Sequence, residues 1–285
     1  MPLLDTAMVV CDLDGTLLRS DASLSPFARD GLNRLIDEGM HLTVASARSV
    51  HAMRALLDGV RMRLPVIELN GALITEIGTG DHVVVRALES SAAFAALSVL
   101  DAHGAGPVLT TWDGRRDRVH FTTTTNAASE WFVAEKRAYG DPRLVLTEDL
   151  AAAVEHEEVV LVTGFVADAV ADAVLAHLVA DVGDVATVTS ARHIYRTGWT
   201  EIQIQHADAD KGQAVTDLLE LTGMQSTKVL ACGDHLNDLP MFAVAHETIV
   251  PANAHQAAIA AATTLVASND DDGVVRWLLE RAHLR

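Results

Sequence analysis

Cysteine is scarce in this chain of 285 residues, with only Cys11 and Cys232 present. Each lies on an apolar run just before a carboxylate, so the thiols read as small buried hydrophobes of a reducing compartment, not as a disulfide framework. The 13 histidines never fall in a His/Cys pattern with zinc-ligand spacing, which argues against a structural zinc. No apolar run approaches the roughly 20 residues that a spanning helix needs. The N-terminus also lacks a basic region followed by an apolar one, and a cytoplasmic protein is expected. Positive charge is in short supply, 21 Lys and Arg against 39 Asp and Glu, for a net charge of −18. Such a chain repels nucleic acid and anionic membrane, so any phosphate must be drawn by local charge. Aromatic residues make up only 4% of the chain, yet 49% of it is hydrophobic. That is enough for a full core, and the length suits two domains. No internal repeat is visible. The biased stretches are four threonines from Thr122 and the run Asp270-Asp271-Asp272, which reads as a solvated loop.

What is present begins with Cys11-Asp12-Leu13-Asp14-Gly15-Thr16, two carboxylates and a hydroxyl at the C-terminal end of the apolar run Ala7 to Cys11. A short apolar run closed by a Gly turn reads as a buried strand, and ligands bind at the carboxyl ends of strands in open α/β sheets. Ser25-Pro26 then reads as an N-cap with proline at the first helical position, followed by apolar residues at helical spacing up to Gly39. A strand over 41–45, a helix over 49–57 and a strand over 65–68 ending at Asn70-Gly71 continue the alternation. This predicts an α/β fold with a doubly wound parallel sheet. From about Gly78 the texture changes to strand patterns over 82–86, 108–111, 118–122, 159–164, 184–189 and 201–205, with helical patterns over 91–103, 127–139 and 167–182. Trp112-Asp113-Gly114 marks a hairpin. The first pattern resumes with a helix over 211–222, strands over 228–232, 248–250 and 264–266, and helices to the C-terminus. The expected organisation is therefore a core of 1–78 and 206–285 split by an inserted α+β cap domain, 79–205, covering the site.

Four separated pieces stand at strand ends or helix starts of this core: Asp12, Asp14 and Thr16; Ser46 with Arg48; Lys211; and Asp234, Asn237 and Asp238. A doubly wound sheet brings such ends together. Phosphoryl transfer needs an in-line nucleophile, positive charge on the equatorial oxygens and a proton for the leaving oxygen. Asp12 can be the nucleophile, forming an aspartyl phosphate. Two carboxylates facing a phosphate require a hard cation with oxygen ligands, and Mg²⁺ suits Asp12, Asp234 and a carbonyl at Asp14. Lys211 and the Ser46 hydroxyl can hold the remaining oxygens, with Ala47 and Asn237 the further phosphate-binding candidates. Asp14, with its side chain left free, serves as general acid and base. Taken alone, Asp-x-Asp-Gly is more often a turn, and Ser46, Asn237 and Asp238 could be helix caps. Lys211 opens a helix, an unfavourable end for a cation, which weakens its solvated reading.

These residues resemble the haloacid dehalogenase superfamily of hydrolases, and within it the Cof-like phosphatases with a class IIB cap; the likeness covers most of the chain. Asp12-Leu13-Asp14-Gly15-Thr16 is similar to the family's first motif, which implies a nucleophile at Asp12, an acid/base at Asp14 and support from Thr16. Ala45-Ser46-Ala47-Arg48 resembles the second, usually Ala-Thr-Gly-Arg: Ser46 keeps the hydroxyl, while Ala47 adds a side chain beside the phosphate loop. Asp210-Lys211-Gly212 looks like the third, and Gly233 to Asp238 like the fourth, where Asp234 binds Mg²⁺ and Asp238 supports the metal shell or Lys211. Asn70-Gly71 and Asn253-Ala254 also match the subfamily. Candidate substrate contacts are Arg48, Asn70, Gly71, Arg192 and His193, with Trp199 nearby in sequence.

The resemblance implies Mg²⁺-dependent hydrolysis of a small phosphorylated metabolite, with sugar phosphates the leading class. Dehalogenases lack the acid at the position of Asp14, and ion-pumping ATPases place Thr there and span membranes. A phosphomutase of the phosphomannomutase type uses the same two aspartates and stays open, as does a metabolite sensor that only binds. Oligomeric state is not legible.

Overall fold

The computed structural model describes residues 7–123, 126–138, 140–193 and 196–283. Two sequence readings, the threonine run at Thr124 and Thr125 and the end of the 127–139 helix at Tyr139, fall outside them. The chain forms two compact units, one comprising the chain up to Val84 together with the chain from Asp210 on, the other Val85–Ala209.

The first unit opens with β1 (Ala7–Cys11), α1 (Pro26–Asp37), β2 (His41–Val44), α2 (Val50–Leu56), β3 (Val66–Glu68), β4 (Leu73–Thr75) and β5 (His82–Val85). The second unit holds α3 (Ser90–Ala102), β6 (Val108–Trp112), β7 (Asp117–Phe121), α4 (Ala127–Ala138), β8 (Leu144–Leu146), α5 (Leu150–His156), β9 (Glu158–Ala167), α6 (Ala171–Val182), β10 (Ala186–Arg192) and β11 (Trp199–His206). The first then resumes with α7 (Lys211–Leu221), β12 (Lys228–Cys232), α8 (Leu239–Val244), β13 (Glu247–Pro251), α9 (Gln256–Ala260), β14 (Thr264–Val266) and α10 (Gly273–Arg281).

In the first unit the strand order is β14-β13-β12-β1-β2, all parallel, and a parallel bridge from Ala45 to Ile67 sets β3 beyond β2. Every residue of β1 is buried because both faces are covered. Ala7, Val9 and Cys11 pack with α1, α2 and α10, while Met8 and Val10 pack with α7, α8 and α9. α1 starts where Ser25 Oγ accepts the Ala28 N–H at 2.9 Å, with Pro26 in the first turn. In register, Cys11 lies beside Cys232 of β12 and Val44 of β2. The carboxyl ends of these central strands therefore finish level. The chain leaves β1 toward β2 on one side and returns through β12 on the other, the switch point at which open α/β sheets bind ligands. Cys11 and Cys232 are buried free thiols.

The second unit has a sheet in the order β10-β11-β9-β6-β7-β8, antiparallel except for the parallel pair β7 and β8. One face packs on α3, α5 and α6. On the other, Val133 and Phe132 of α4 meet Val108, Val119 and Phe121. The Trp112-Asp113-Gly114 signal is the β6–β7 hairpin, where Asp113 Oδ1 accepts the N–H groups of Arg115 and Arg116.

Several elements differ from the sequence reading. β4, β8 and α5 were not anticipated, and each is only three to seven residues long. The helix placed from Ala167 begins at Ala171, because Ala167 still pairs with Trp199 in the sheet. The units part slightly beyond the expected crossings, since β5 stays hydrogen-bonded to β4. The triple-aspartate run is not simply solvated. Asp272 is buried, takes Arg19 and the Ser25 hydroxyl on its two oxygens, and adopts a left-handed φ of 56° to do so. Among the described residues no helix is long and apolar enough to cross a membrane.

Candidate active site

β1 ends directly in Asp12, whose N–H donates to the Cys232 carbonyl at 2.8 Å, so the sheet's hydrogen bonding runs up to the carboxylate. The chain then turns sharply through Gly15 at φ +74°, a left-handed conformation natural to glycine. A Cβ there would lie 2.4 Å from Asp234 Oδ2, so Gly15 leaves the space that the Asp234 carboxylate fills. Thr16 Oγ1 donates to Asp234 Oδ1 at 3.0 Å. Asn253 Nδ2 donates to the Gly15 carbonyl at 2.8 Å and accepts the Asn269 N–H on Oδ1. The first and fourth sequence pieces are thus joined by direct contacts.

Lys211 stands at the start of α7 and is fully buried. Its placement is local: Asp210 caps the helix through the Gly212 and Gln213 N–H groups. The β3–β4 turn lies against the Asp210 backbone at Gly71, where an added Cβ would meet the Asp210 carbonyl at 2.3 Å. Lys211 Nζ donates to Asp12 Oδ1 at 2.8 Å and to Asp238 Oδ1 at 2.6 Å. The second oxygen of Asp238 accepts the N–H groups of Asp234 and His235 at 2.8 and 2.9 Å. Asp238 therefore orients Lys211 with one oxygen and the Asp234 loop with the other.

The carboxylate oxygens of Asp12, Asp234 and Asp238 come within 4.8 Å of one another. Three negative charges face one ammonium, leaving about two uncompensated in a largely buried setting, and the titration behaviour reflects this. Burial, reinforced by Asp238 and Asp234 and opposed by Lys211, pushes the Asp12 carboxyl up to about 7. Burial and the Asp238 charge also raise Asp234. Burial alone would lower Lys211, but Asp12 and Asp238 outweigh it and hold the ammonium above its ordinary range.

The donors are all oxygen, and the missing charge is that of a divalent cation. Asp238 spends both oxygens on protein donors, whereas among the described residues nothing bonds to Asp12 Oδ2 or Asp234 Oδ2. Asp12 and Asp234 therefore fit a hard dication such as Mg²⁺.

Ser46 follows β2 and is buried. Its Oγ accepts the Arg48 N–H at 3.1 Å, which leaves its own proton available for an acceptor. The Ala47 methyl is exposed. Arg48 pairs with Asp14, its Nε and Nη2 donating to the two carboxylate oxygens at 2.7 and 2.6 Å. Asn70, left-handed at φ 56°, donates its N–H to the Ser46 carbonyl and accepts the Asn237 amide on Oδ1 at 3.0 Å. One proton of the Asn237 amide is thus held by Asn70, and the second is left for another acceptor. His235 and His255, edge to face at 5.4 Å, flank the same loop.

Arg192 and His193 belong to the second unit. Arg192 ends β10 and is exposed. His193 lies edge-on to Trp131 at 4.8 Å, accepts the Arg196 N–H on Nδ1 and donates its backbone N–H to the Trp199 carbonyl. Sequence reasoning placed Asp12, Asp14, Lys211 and Asp234 at one site. It did not pair Arg48 with Asp14, and no periodicity or motif spacing signals that contact.

Comparison with known proteins places the chain in a family. The family model for haloacid dehalogenase-like hydrolases matches residues 9–278. The chain is 26% identical over 290 residues to the 5-amino-6-(5-phospho-D-ribitylamino)uracil phosphatase YwtE of Bacillus subtilis, covering 95% of this chain and 96% of that one. It is 22% identical over 284 residues to the pyridoxal phosphate phosphatase YbhA of Escherichia coli, covering 96% and 97%. A crystal structure of a haloacid dehalogenase-like hydrolase from Bacteroides thetaiotaomicron shares the fold, with a TM-score of 0.78, 21% identity and coverage of 97% and 99%.

Proposed function

The chain belongs to the haloacid dehalogenase-like hydrolases, and from that premise we propose that it is a cytoplasmic, Mg²⁺-dependent phosphatase that hydrolyses a small phosphomonoester, a sugar phosphate first among the candidates. The observation that carries the reading is the buried carboxylate Asp12, held by Lys211 and facing Asp234 at the carboxyl end of the central strand. The named relatives act on phosphorylated small molecules, which supports the substrate class in general terms.

In the proposed reaction an oxygen of Asp12 attacks phosphorus and the bond to the leaving oxygen breaks, while Asp14 gives that oxygen a proton. Water then attacks phosphorus, its proton passes to Asp14, and Asp12 is released with inorganic phosphate. Lys211 Nζ and the Ser46 hydroxyl are the donors for the equatorial phosphoryl oxygens, already fixed by Asp238 and by the Arg48 N–H. Bound by Asp12, Asp234 and the Asp14 carbonyl, Mg²⁺ would supply the positive charge that this cluster lacks. Thr16 and Asp238 keep the Asp234 side in place. Asn70, Gly71 and Asn237 shape the neighbouring turn.

Free phosphate release should be measured over sugar phosphates, nucleotides and small acid phosphates, with Mg²⁺ and with chelator, beside Asp12→Asn. Metal-dependent release that is lost in the variant is expected. Isomerised product with little free phosphate would point to a mutase, and ligand-induced stabilisation without turnover to a sensor. Arg192 and His193 are proposed to select the substrate, so their alanine variants should change relative KM values across the panel.

A further inference from the structure

Both oxygens of the Asp14 carboxylate are taken by one side chain, through the Arg48 Nε and Nη2 bonds. Paired parallel bonds from a guanidinium fix the plane of a carboxyl group as well as its distance, which an ammonium cannot do. Among the described residues no other group bonds to that carboxylate, and the side chain is about half exposed, at 49%. Arg48 itself is anchored. Its N–H is held by Ser46 Oγ, and its carbonyl accepts the N–H of Leu69, a residue in the left-handed region at φ 50°. A half-exposed ion pair adds little to stability. A turn held in a sparsely populated conformation to aim such a pair points instead to a role at the site.

We propose that Arg48 is the positioning residue of the acid and base. This rests on the aspartyl-phosphate reading given above. Arg48 holds the Asp14 carboxyl in the orientation from which a proton reaches the leaving oxygen in the first half-reaction. It holds the same orientation when Asp14 takes a proton from water in the second. Ser46 ties this to phosphate binding, because the hydroxyl that offers its proton to a phosphoryl oxygen also fixes the Arg48 backbone. One loop after β2 thereby sets both the seat of the phosphate and the aim of the acid.

The test is leaving-group dependence. 4-Nitrophenyl phosphate releases a phenolate that needs no proton, whereas glycerol phosphate must expel an alkoxide. The ratio kcat/KM reports transfer to Asp12, and kcat on the aryl ester includes hydrolysis of the aspartyl phosphate. Arg48→Ala should lose at least about tenfold more in kcat/KM on the alkyl than on the aryl ester, since positioned acid catalysis is worth ~10²–10⁴-fold. Its kcat on the aryl ester should also fall, because water still needs the base. Arg48→Lys should show the same pattern in weaker form, and it serves as the test if the alanine variant does not fold. The double variant Arg48→Ala/Asp14→Asn should be no slower than Asp14→Asn alone. Equal losses on the two esters, or losses that multiply in the double variant, would overturn the proposal while leaving the phosphatase reading intact. No turnover of either ester by the unmodified protein with Mg²⁺ would overturn the reading on which it rests.

Discussion

Replacing Lys211 by methionine removes one charge, nearly conserves volume, and leaves two buried carboxylates facing each other. Lys211 Nζ lies 2.8 Å from Asp12 and 2.6 Å from Asp238 with no solvent access. At an effective dielectric constant of ~20 each contact is worth about 6 kcal/mol before desolvation. Desolvating the ammonium returns much of that, and breaking a buried pair by removing one partner costs roughly 3–5 kcal/mol. With ~2–4 °C lost per kcal/mol in a domain of this size, the melting temperature of the metal-free protein should fall by on the order of 10 °C at pH 8. The drop should shrink at pH 6. Burial already raises Asp12 to about 7, so between its unfolded value and 7 the folded state binds the extra proton. Stability attributable to this group therefore falls as pH rises through that window. Lys211 is the main charge opposing the shift, so without it the window extends upward, and acid relieves the repulsion by protonation. Thermal unfolding in chelator at the two pH values, for both proteins, measures this directly. An unchanged melting temperature, or an equal drop at both pH values, would refute the reasoning that Lys211 is the charge partner of the buried pair.

Mg²⁺ affinity should weaken as pH falls below about 7, by up to ~10-fold per unit from Asp12 alone and more steeply where Asp234 also titrates, because ligating carboxylates must be deprotonated; calorimetric titration at pH 6 and pH 8 checks it, and a constant Kd counts against these two ligands. Gly15→Ala should weaken Mg²⁺ binding at least about tenfold while costing only ~1–2 kcal/mol in backbone strain, since the new Cβ displaces the far end of the Asp234 side chain and not backbone; an unaltered Mg²⁺ titration would show that the Asp234 position does not matter.

The parts of the fold that could be read from the sequence are those with a strong local cause. β1 is a continuous apolar run because both of its faces are covered, and α1 announces itself through Ser25-Pro26. β4 and β8 are three residues each, too short for any periodicity to register. β8 exists only through its parallel pairing with β7. The Ala-Asp-Ala-Val segment at 167–170 has helical composition, yet pairing with β11 claims Ala167 first. Tertiary pairing overrode local propensity in each case.

At the site, residue types were legible and, apart from the support of Lys211 by Asp238 that the family resemblance implied, their partners were not, and charge explains why. Asp12, Asp14, Lys211 and Asp234 stand at strand ends or helix starts, which a doubly wound sheet must bring together. Which carboxylate meets which cation is decided across long stretches of chain. Asp14 pairs with Arg48, so the site divides into a half-exposed Asp14–Arg48 pair and a largely buried cluster of three carboxylates beside one ammonium. In the proposed reaction that division separates two tasks: the excess negative charge of the cluster would draw a dication to Asp12 and Asp234, while Asp14, the proposed acid and base, stays outside the cluster with a cation of its own. Had Arg48 been absent, Asp14 would add a fourth carboxylate facing the transferring phosphoryl group. The arginine therefore bears on phosphate affinity as well as on the aim of the acid, and Arg48→Ala should also weaken competitive inhibition by inorganic phosphate; an unchanged inhibition constant would confine Arg48 to aiming Asp14.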